Sequence, residues 1–200
     1  MTRELDLAGA LDALKRGGVV AVPTDTVYGI GASLAHPSAV RALFSLKRRP
    51  SDVAMPVLVA SVGQIEVLGV EWSEPARRLS DAFWPGPLTI IVAAPQELAD
   101  LVGASATSAG FRLPDDVVLR ALLAESGPLV VTSANEHGKA PCSNVERVRD
   151  VFAGRRELDG VLDDGERSGV VSTVVDLSGP AWRLVRAGVI GPDALAAVLD

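Results

Sequence analysis

Two hundred residues carry 48% hydrophobic and 22% charged side chains, enough apolar surface for a full core and too much for a disordered chain. Nineteen Lys and Arg against 25 Asp and Glu leave a net charge of −6, which argues against gripping duplex nucleic acid through a broad basic face. The single Cys142 excludes an internal disulfide, and with His36 and His137 as the only histidines no Cys/His zinc site can be assembled.

In chain order, the opening stretch mixes acids with apolar residues and lacks the basic and apolar regions of a secretion leader. No later apolar run approaches the roughly 18–20 residues of a membrane span, so a cytoplasmic protein is expected. Leu5, Leu7, Ala8, Leu11 and Leu14 fall on one helical face, and Gly17-Gly18 stops that helix. Residues 19–22 read as a buried strand ended by Pro23. His36-Pro37 opens a second helix with Val40, Leu43 and Phe44 on its apolar face, and Pro50 ends it. Further strands are expected over 56–61, 88–93, 129–132, 172–177 and 182–186, and helices over 74–83, 115–126, 145–152 and 192–199. The stretch 160–169, GVLDDGERSG, reads as the loosest segment and a mobile loop. Strands alternating with helices predict an α/β (α+β) layered fold in a single domain over 1–200.

The usual catalytic sets are missing. No His stands in a Ser/His/Asp context, Cys142 has no activating base nearby in sequence, and no H-E-x-x-H is present. Gly138-Lys139 lacks the upstream glycine of a P-loop, and Gly29-Ile-Gly31 lacks the third glycine of a dinucleotide fingerprint. Four polar segments stand out instead. Pro23-Thr-Asp-Thr-Val-Tyr-Gly-Ile-Gly31 follows a buried strand, where ligand sites of α/β sheets gather; it also reads as a turn whose side chains satisfy local backbone. Lys47-Arg48-Arg49-Pro50 suits phosphate or carboxylate, and equally complements a helix C-terminus. Trp84-Pro-Gly-Pro87 forces a rigid turn into the strand that follows, an architectural role. Thr132-Ser-Ala-Asn135, Ser172-Thr173 and Arg186 place polar groups in or beside apolar strands, where they need partners. Brought together, they would make a hydroxyl-lined, arginine-rimmed pocket for a small anion.

In this order the segments resemble the YrdC-like family, the L-threonylcarbamoyladenylate synthases. The family pattern P-T-D/E-T-x-Y-G-L/I-G, K-x-R-P, W-P-G-P-x-T, R-x-P, S-A-N-x-x-G, S-T-V/I-V and R-x-G appears here at 23–31, 47–50, 84–89, 112–114, 133–138, 172–175 and 186–188. The resemblance implies a twisted mixed β-sheet with flanking helices around a deep cationic cleft. It implies a reaction in which ATP, bicarbonate and L-threonine give threonylcarbamoyl-AMP and pyrophosphate, with Mg²⁺ accompanying the ATP. Partner proteins would then pass the threonylcarbamoyl group to tRNA, with no membrane involved and no tight direct nucleic-acid binding by this chain. Carried over by motif, Thr26, Arg112 and Ser172 would contact the threonine, while Lys47, Arg49, Ser108, Ser133, Asn135 and Arg186 would hold the ATP. No general base and no protein-held metal are assigned. Val53 stands where the family pattern places a polar residue near the nucleotide, His137 where Ser is common, and Asp164 where Gly is common. The rival readings are a non-catalytic nucleotide- or RNA-binding paralogue of the same fold, which Val53 favours and the net charge opposes for RNA, and a carbamoyl-transfer module, which the chain length opposes.

Overall fold

The computed structural model describes residues 2–200. A two-residue strand, β1 (Glu4–Leu5), precedes helix α1 (Leu7–Lys15), whose start is capped by the Asp6 carboxylate accepting from Gly9 N at 2.8 Å. Strands β2 (Val19–Val22) and β3 (Gly29–Ser33) pair antiparallel, and Pro37 at the first position opens α2 (Pro37–Lys47). There follow β4 (Val57–Leu58), α3 (Val62–Val67), α4 (Glu74–Phe83), β5 (Leu88–Ala93), α5 (Gln96–Val102), β6 (Ser108–Arg112), α6 (Val117–Ser126) and β7 (Leu129–Ser133). The chain continues through α7 (Val145–Val151), β8 (Leu158–Leu162), β9 (Thr173–Asp176), β10 (Arg183–Arg186) and α8 (Pro192–Leu199).

All ten strands join one mixed sheet in the order β1-β8-β2-β3-β7-β4-β6-β5-β9-β10. Side chains alternate across it, as a pleat of period two requires. Val19 and Ala21 of β2, Val130 of β7 and Leu88, Ile90 and Val92 of β5 enter one core, together with side chains from α2, α3, α4, α5, α7 and α8. Val20 and Val22 of β2 and Leu129 and Val131 of β7 enter a second core on the opposite face, beneath α1 and α6. That second core takes no buried side chain from β5, β6, β9 or β10. Half of one sheet face is thus left without a helical cover, and the cleft opens there.

Several sequence expectations are corrected. Leu5 belongs to β1 rather than the first helix, and Ala8 is exposed; the buried face is Ala10, Ala13 and Leu14. The strand expected over 56–61 shrinks to Val57–Leu58. Helix α2 ends at Lys47, because Arg48 takes a left-handed φ of 51°. Residues 160–162 of the supposed loose segment are sheet, paired in parallel with β1 and β2. Strands β3, β6 and β8 and helices α3 and α5 carried too few alternating or periodic apolar residues to be read.

Candidate active site

The uncovered face of the sheet forms the floor of a cleft of about 540 Å³. Alternate residues contribute most of it, with Ala109 and Thr132 also at its lining: Thr89 and Ile91 from β5; Ser108, Gly110 and Arg112 from β6; Val131 and Ser133 from β7. Their odd-numbered or even-numbered neighbours are core, so the alternation that buries Ile90 and Phe111 is what delivers Thr89 and Arg112 to the cleft. Of the nine expected site residues, Thr26, Arg49, Ser108, Arg112, Ser133, Ser172 and Arg186 line it, whereas Lys47 and Asn135 lie behind it.

At one end of β6, Arg112 is 6% exposed and held on three sides. Its Nε donates to Gly86 O at 3.0 Å, Nη1 to Thr26 Oγ1 at 3.3 Å and Nη2 to Asp25 Oδ1 at 2.6 Å. The Trp84-Pro-Gly-Pro87 turn therefore does more than enter β5, since its Gly86 carbonyl aims the guanidinium. Burial pushes Arg112 down from the usual arginine range, and Asp25 opposes this. Counting hydrogens, Nη1 and Nη2 each keep one N–H free for a ligand. Thr26 sits in a turn built by Thr24, whose Oγ1 donates to Val27 O at 2.7 Å and lies 2.9 Å from Thr26 Oγ1. Thr24 Oγ1 also accepts from the backbone N–H groups of Thr26 and Val27, both at 3.1 Å, and Thr26 Oγ1 accepts from Arg112.

Across the cleft, Arg186 donates from Nε to Ser172 O at 3.0 Å and from Nη2 to Ser172 Oγ at 2.8 Å. Gly188, the glycine of R-x-G, lets the chain pass this strand: a Cβ there would run into the backbone of Ser172 and Thr173. Arg49 clasps its own loop, Nε to Val53 O and Nη2 to Ala54 O, both at 2.8 Å. Val53 is among the residues that line the cleft. Among the described residues neither Arg49 nor Arg186 has a carboxylate within ion-pair distance, and the cleft lining contains no acidic side chain. Burial lowers both guanidiniums, and the charge of Arg186 adds to the effect at Arg49. Cations without a carboxylate partner that face one space are the arrangement that an anionic ligand relieves.

Lys47 departs from its expected place. Its ammonium is 1% exposed and donates to Ser133 O at 2.6 Å, Asn135 O at 3.0 Å and Asn135 Oδ1 at 2.9 Å, which uses all three hydrogens. Asn135 Oδ1 also accepts from Ser133 Oγ at 2.6 Å, while Nδ2 donates to Lys139 O at 2.7 Å. Lys47 and Asn135 thus brace the turn that presents Ser133. Arg48, next in the chain, points to Glu136 at 3.4 Å on the surface, so the three adjacent cations face three different environments.

The ten residues 163–172 connect β8 to β9, second and ninth in the sheet. Seven strand spacings amount to roughly 34 Å along the sheet, close to the 33–36 Å reach of ten extended residues, so the connection is a strap with little slack. It is pinned rather than loose. Tyr28 Oη donates to Gly165 O at 2.8 Å, Gly169 N donates to Thr26 O at 2.9 Å, and Arg167 Nη2 reaches Asp116 Oδ2 at 3.1 Å. Beyond it, Val171 and Ser172 form cleft wall. Sequence reasoning missed two partners at the site. Asp25 stands in the segment read as well placed for a ligand but carries no assigned role, and Thr89 is only a motif residue; the signal for Thr89 was a lone hydroxyl in Leu88-Thr-Ile-Ile-Val.

Comparison with known proteins places these features in a family. The family model Sua5/YciO/YrdC, described as telomere recombination, matches residues 12–188. A Mycobacterium tuberculosis relative is 38% identical over 200 residues, covering 98% of this chain and 90% of its own. The threonylcarbamoyl-AMP synthase of Bacillus subtilis is 36% identical over 201 residues, 99% of this chain but 58% of its own length. Among solved structures, Pyrococcus abyssi Sua5 complexed with L-threonine matches with a TM-score of 0.90 at 32% identity, over 96% of this chain and 57% of that one. With the model matched from residue 12 to residue 188 and the same mixed sheet in a solved relative, the chain belongs to the Sua5/YciO/YrdC family.

Proposed function

We propose that this chain is a threonylcarbamoyl-AMP synthase, joining L-threonine, bicarbonate and ATP into threonylcarbamoyl-AMP and pyrophosphate. The observation that carries the reading is the cleft's charge pattern: Arg49, Arg112 and Arg186 converge with hydroxyls and no acid. ATP and bicarbonate are anions and threonine presents a carboxylate, and such a lining favours all three. The names of the Bacillus subtilis and Pyrococcus abyssi relatives, and the threonine bound to the latter, support it. We take residues 1–200 as one domain, since strands from both ends of the chain enter one sheet.

The free N–H groups of Arg112 hold the threonine carboxylate, with Thr26 and Ser172 at its polar side. Arg49, Ser108, Ser133 and Arg186 hold the nucleotide phosphates and sugar; Lys47 and Asn135 serve that end through the Ser133 turn. The threonine amine, free of its proton, adds to bicarbonate, and loss of water leaves a carbamate. A carbamate oxygen then attacks the α-phosphorus, and the bond to pyrophosphate breaks. Positioning and fixed positive charge supply both steps without a protein base. Mg²⁺ would enter on the ATP phosphates, where it neutralises their charge; the lining has no carboxylate to hold it separately. The product is an activated acyl phosphate, so partner proteins in the cytoplasm would transfer its threonylcarbamoyl group to tRNA. The test is pyrophosphate release from ATP, expected only when threonine and bicarbonate are both present. Release that ignores threonine would overturn the reading.

A further inference from the structure

A second hollow, of about 810 Å³, shares no lining residue with the cleft. Phe44 of α2, Leu98 and Leu101 of α5 and Leu68 just past α3 make its lining apolar. Its charges come from the two neighbouring helices, Arg41 on α2 and Glu97 and Asp100 on α5. All three are exposed, and among the described residues none has an opposite charge within ion-pair distance. Asp100 has only the neutral Gln96 amide, at 2.6 Å. Next to Leu68 in the chain is Val67, 87% exposed, the most exposed of the large apolar side chains among the described residues. In a lone chain an apolar hollow and an apolar side chain beside it both stay in water at a cost.

Each of these features has its complement on the same face. The hollow and Val67 are both apolar; α2 supplies a cation and α5 supplies anions. A surface that complements itself fits a second copy about a twofold axis, because in such a contact each residue pair occurs twice with the roles exchanged. We propose that this α2–α5 face is the interface of a homodimer. Val67 of each protomer seats in the hollow of its partner, and Arg41 of each is set against Glu97 and Asp100 of the other. A foreign protein would need its own matching cation, anions and apolar knob, which a second copy already carries. The contact uses no residue of the cleft lining, yet it bears on the cleft wall from behind. Arg49 N donates to Phe44 O of α2, and Met55 N donates to Val102 O of α5, both at 2.9 Å. The loop whose Arg49, Val53 and Met55 line the cleft is thus tied at its two ends to the two helices of the interface.

Light scattering at roughly 100 μM protein, enough to populate a dimer of micromolar Kd, should give twice the mass of one chain. Val67→Glu changes a side chain that is almost fully exposed in a single chain, so it should return the mass to that of one chain without unfolding it. Arg41→Glu sets acid against acid and should do the same. Arg41→Glu combined with Glu97→Arg restores opposite charges, and the dimer with them. In wild type, amide exchange in α2 and α5 should slow about threefold between about 1 and 100 μM protein. A wild-type chain that stays monomeric, a dimer that survives both Val67→Glu and Arg41→Glu, a double variant as monomeric as Arg41→Glu, or exchange that slows elsewhere and not in α2 and α5 would each overturn the interface.

Discussion

Lys47 shows how much a residue's role depends on where its three hydrogens go. Its donors are spent on buried carbonyls of the Ser133–Asn135 turn, so Lys47→Ala leaves those acceptors unpaired. We expect it to cost about 1–3 kcal/mol of stability, read by urea unfolding, in addition to any loss of ATP affinity. Burial, with the Arg49 charge adding to it, pushes this ammonium down to about 8. The native state then gives up the proton near pH 8 and the unfolded chain only near 10.5. Between these values the unfolded state binds more protons, so stability rises with pH. Wild type should gain on Lys47→Met between pH 8 and 10; parallel curves would show that the lysine does not titrate there. Arg112 carries a different penalty. Its partner Asp25 is a 12% exposed carboxylate, and Arg112→Ala would strand it, at about 3–5 kcal/mol. Arg112→Lys keeps the charge and loses the fork, so calorimetry should show threonine bound about ten- to a hundredfold more weakly and ATP nearly unchanged. Equal losses for both ligands would remove Arg112 from the threonine end.

Among the elements, the strap at 163–172 and the turn at 24–27 behave as one unit, because Tyr28 and the Thr26 carbonyl fasten the first to the second. Burial, with Asp163 adding to it, pushes the Tyr28 phenol up to about 12. Its contribution to stability is complete below pH 10, where both states hold the proton, and is lost as pH rises towards 12. Tyr28→Phe should abolish that alkaline loss. At neutral pH it should speed amide exchange in residues 163–171 while leaving β2 and β7 protected. Protection unchanged in the strap would mean that Arg167 and the Thr26 contact hold it alone. Strand β3, next to this turn, was hidden in the sequence by Gly29 and Gly31. A Cβ on Gly29 would come within 2.5 Å of Val131 Cγ1, so close packing of β3 on β7 requires the residues that erase the strand's alternating pattern.

For the molecule as a whole, a cleft that gathers unpaired cations should be stabilised by what it binds. At a hundred times its dissociation constant a ligand adds about 2.7 kcal/mol, roughly 5–10 °C in Tm for a chain of this size. Thermal shift with ATP, and separately with threonine, should each show it; a shift with neither would leave the cleft without its proposed ligands. The alternation of apolar residues, the proline and glycine stops and the order of the seven motifs were legible without coordinates, because each depends on neighbours a few residues apart. From them came the α/β class, six of the eight helices among the described residues, and a list of candidate site residues. Which cation faces the cleft was not legible, since Lys47 and Arg49 differ only in the direction the chain takes after a left-handed Arg48. Nor were the Arg112–Asp25 pair, separated by 87 positions, and the Thr89–Ser172 pair, separated by 83. Strand order decided these. It set β5 beside β6 and β9, and left that part of one face without a helix, so the same period-two pleat that buries hydrophobic side chains on one side exposes hydroxyls and arginines to a common space on the other.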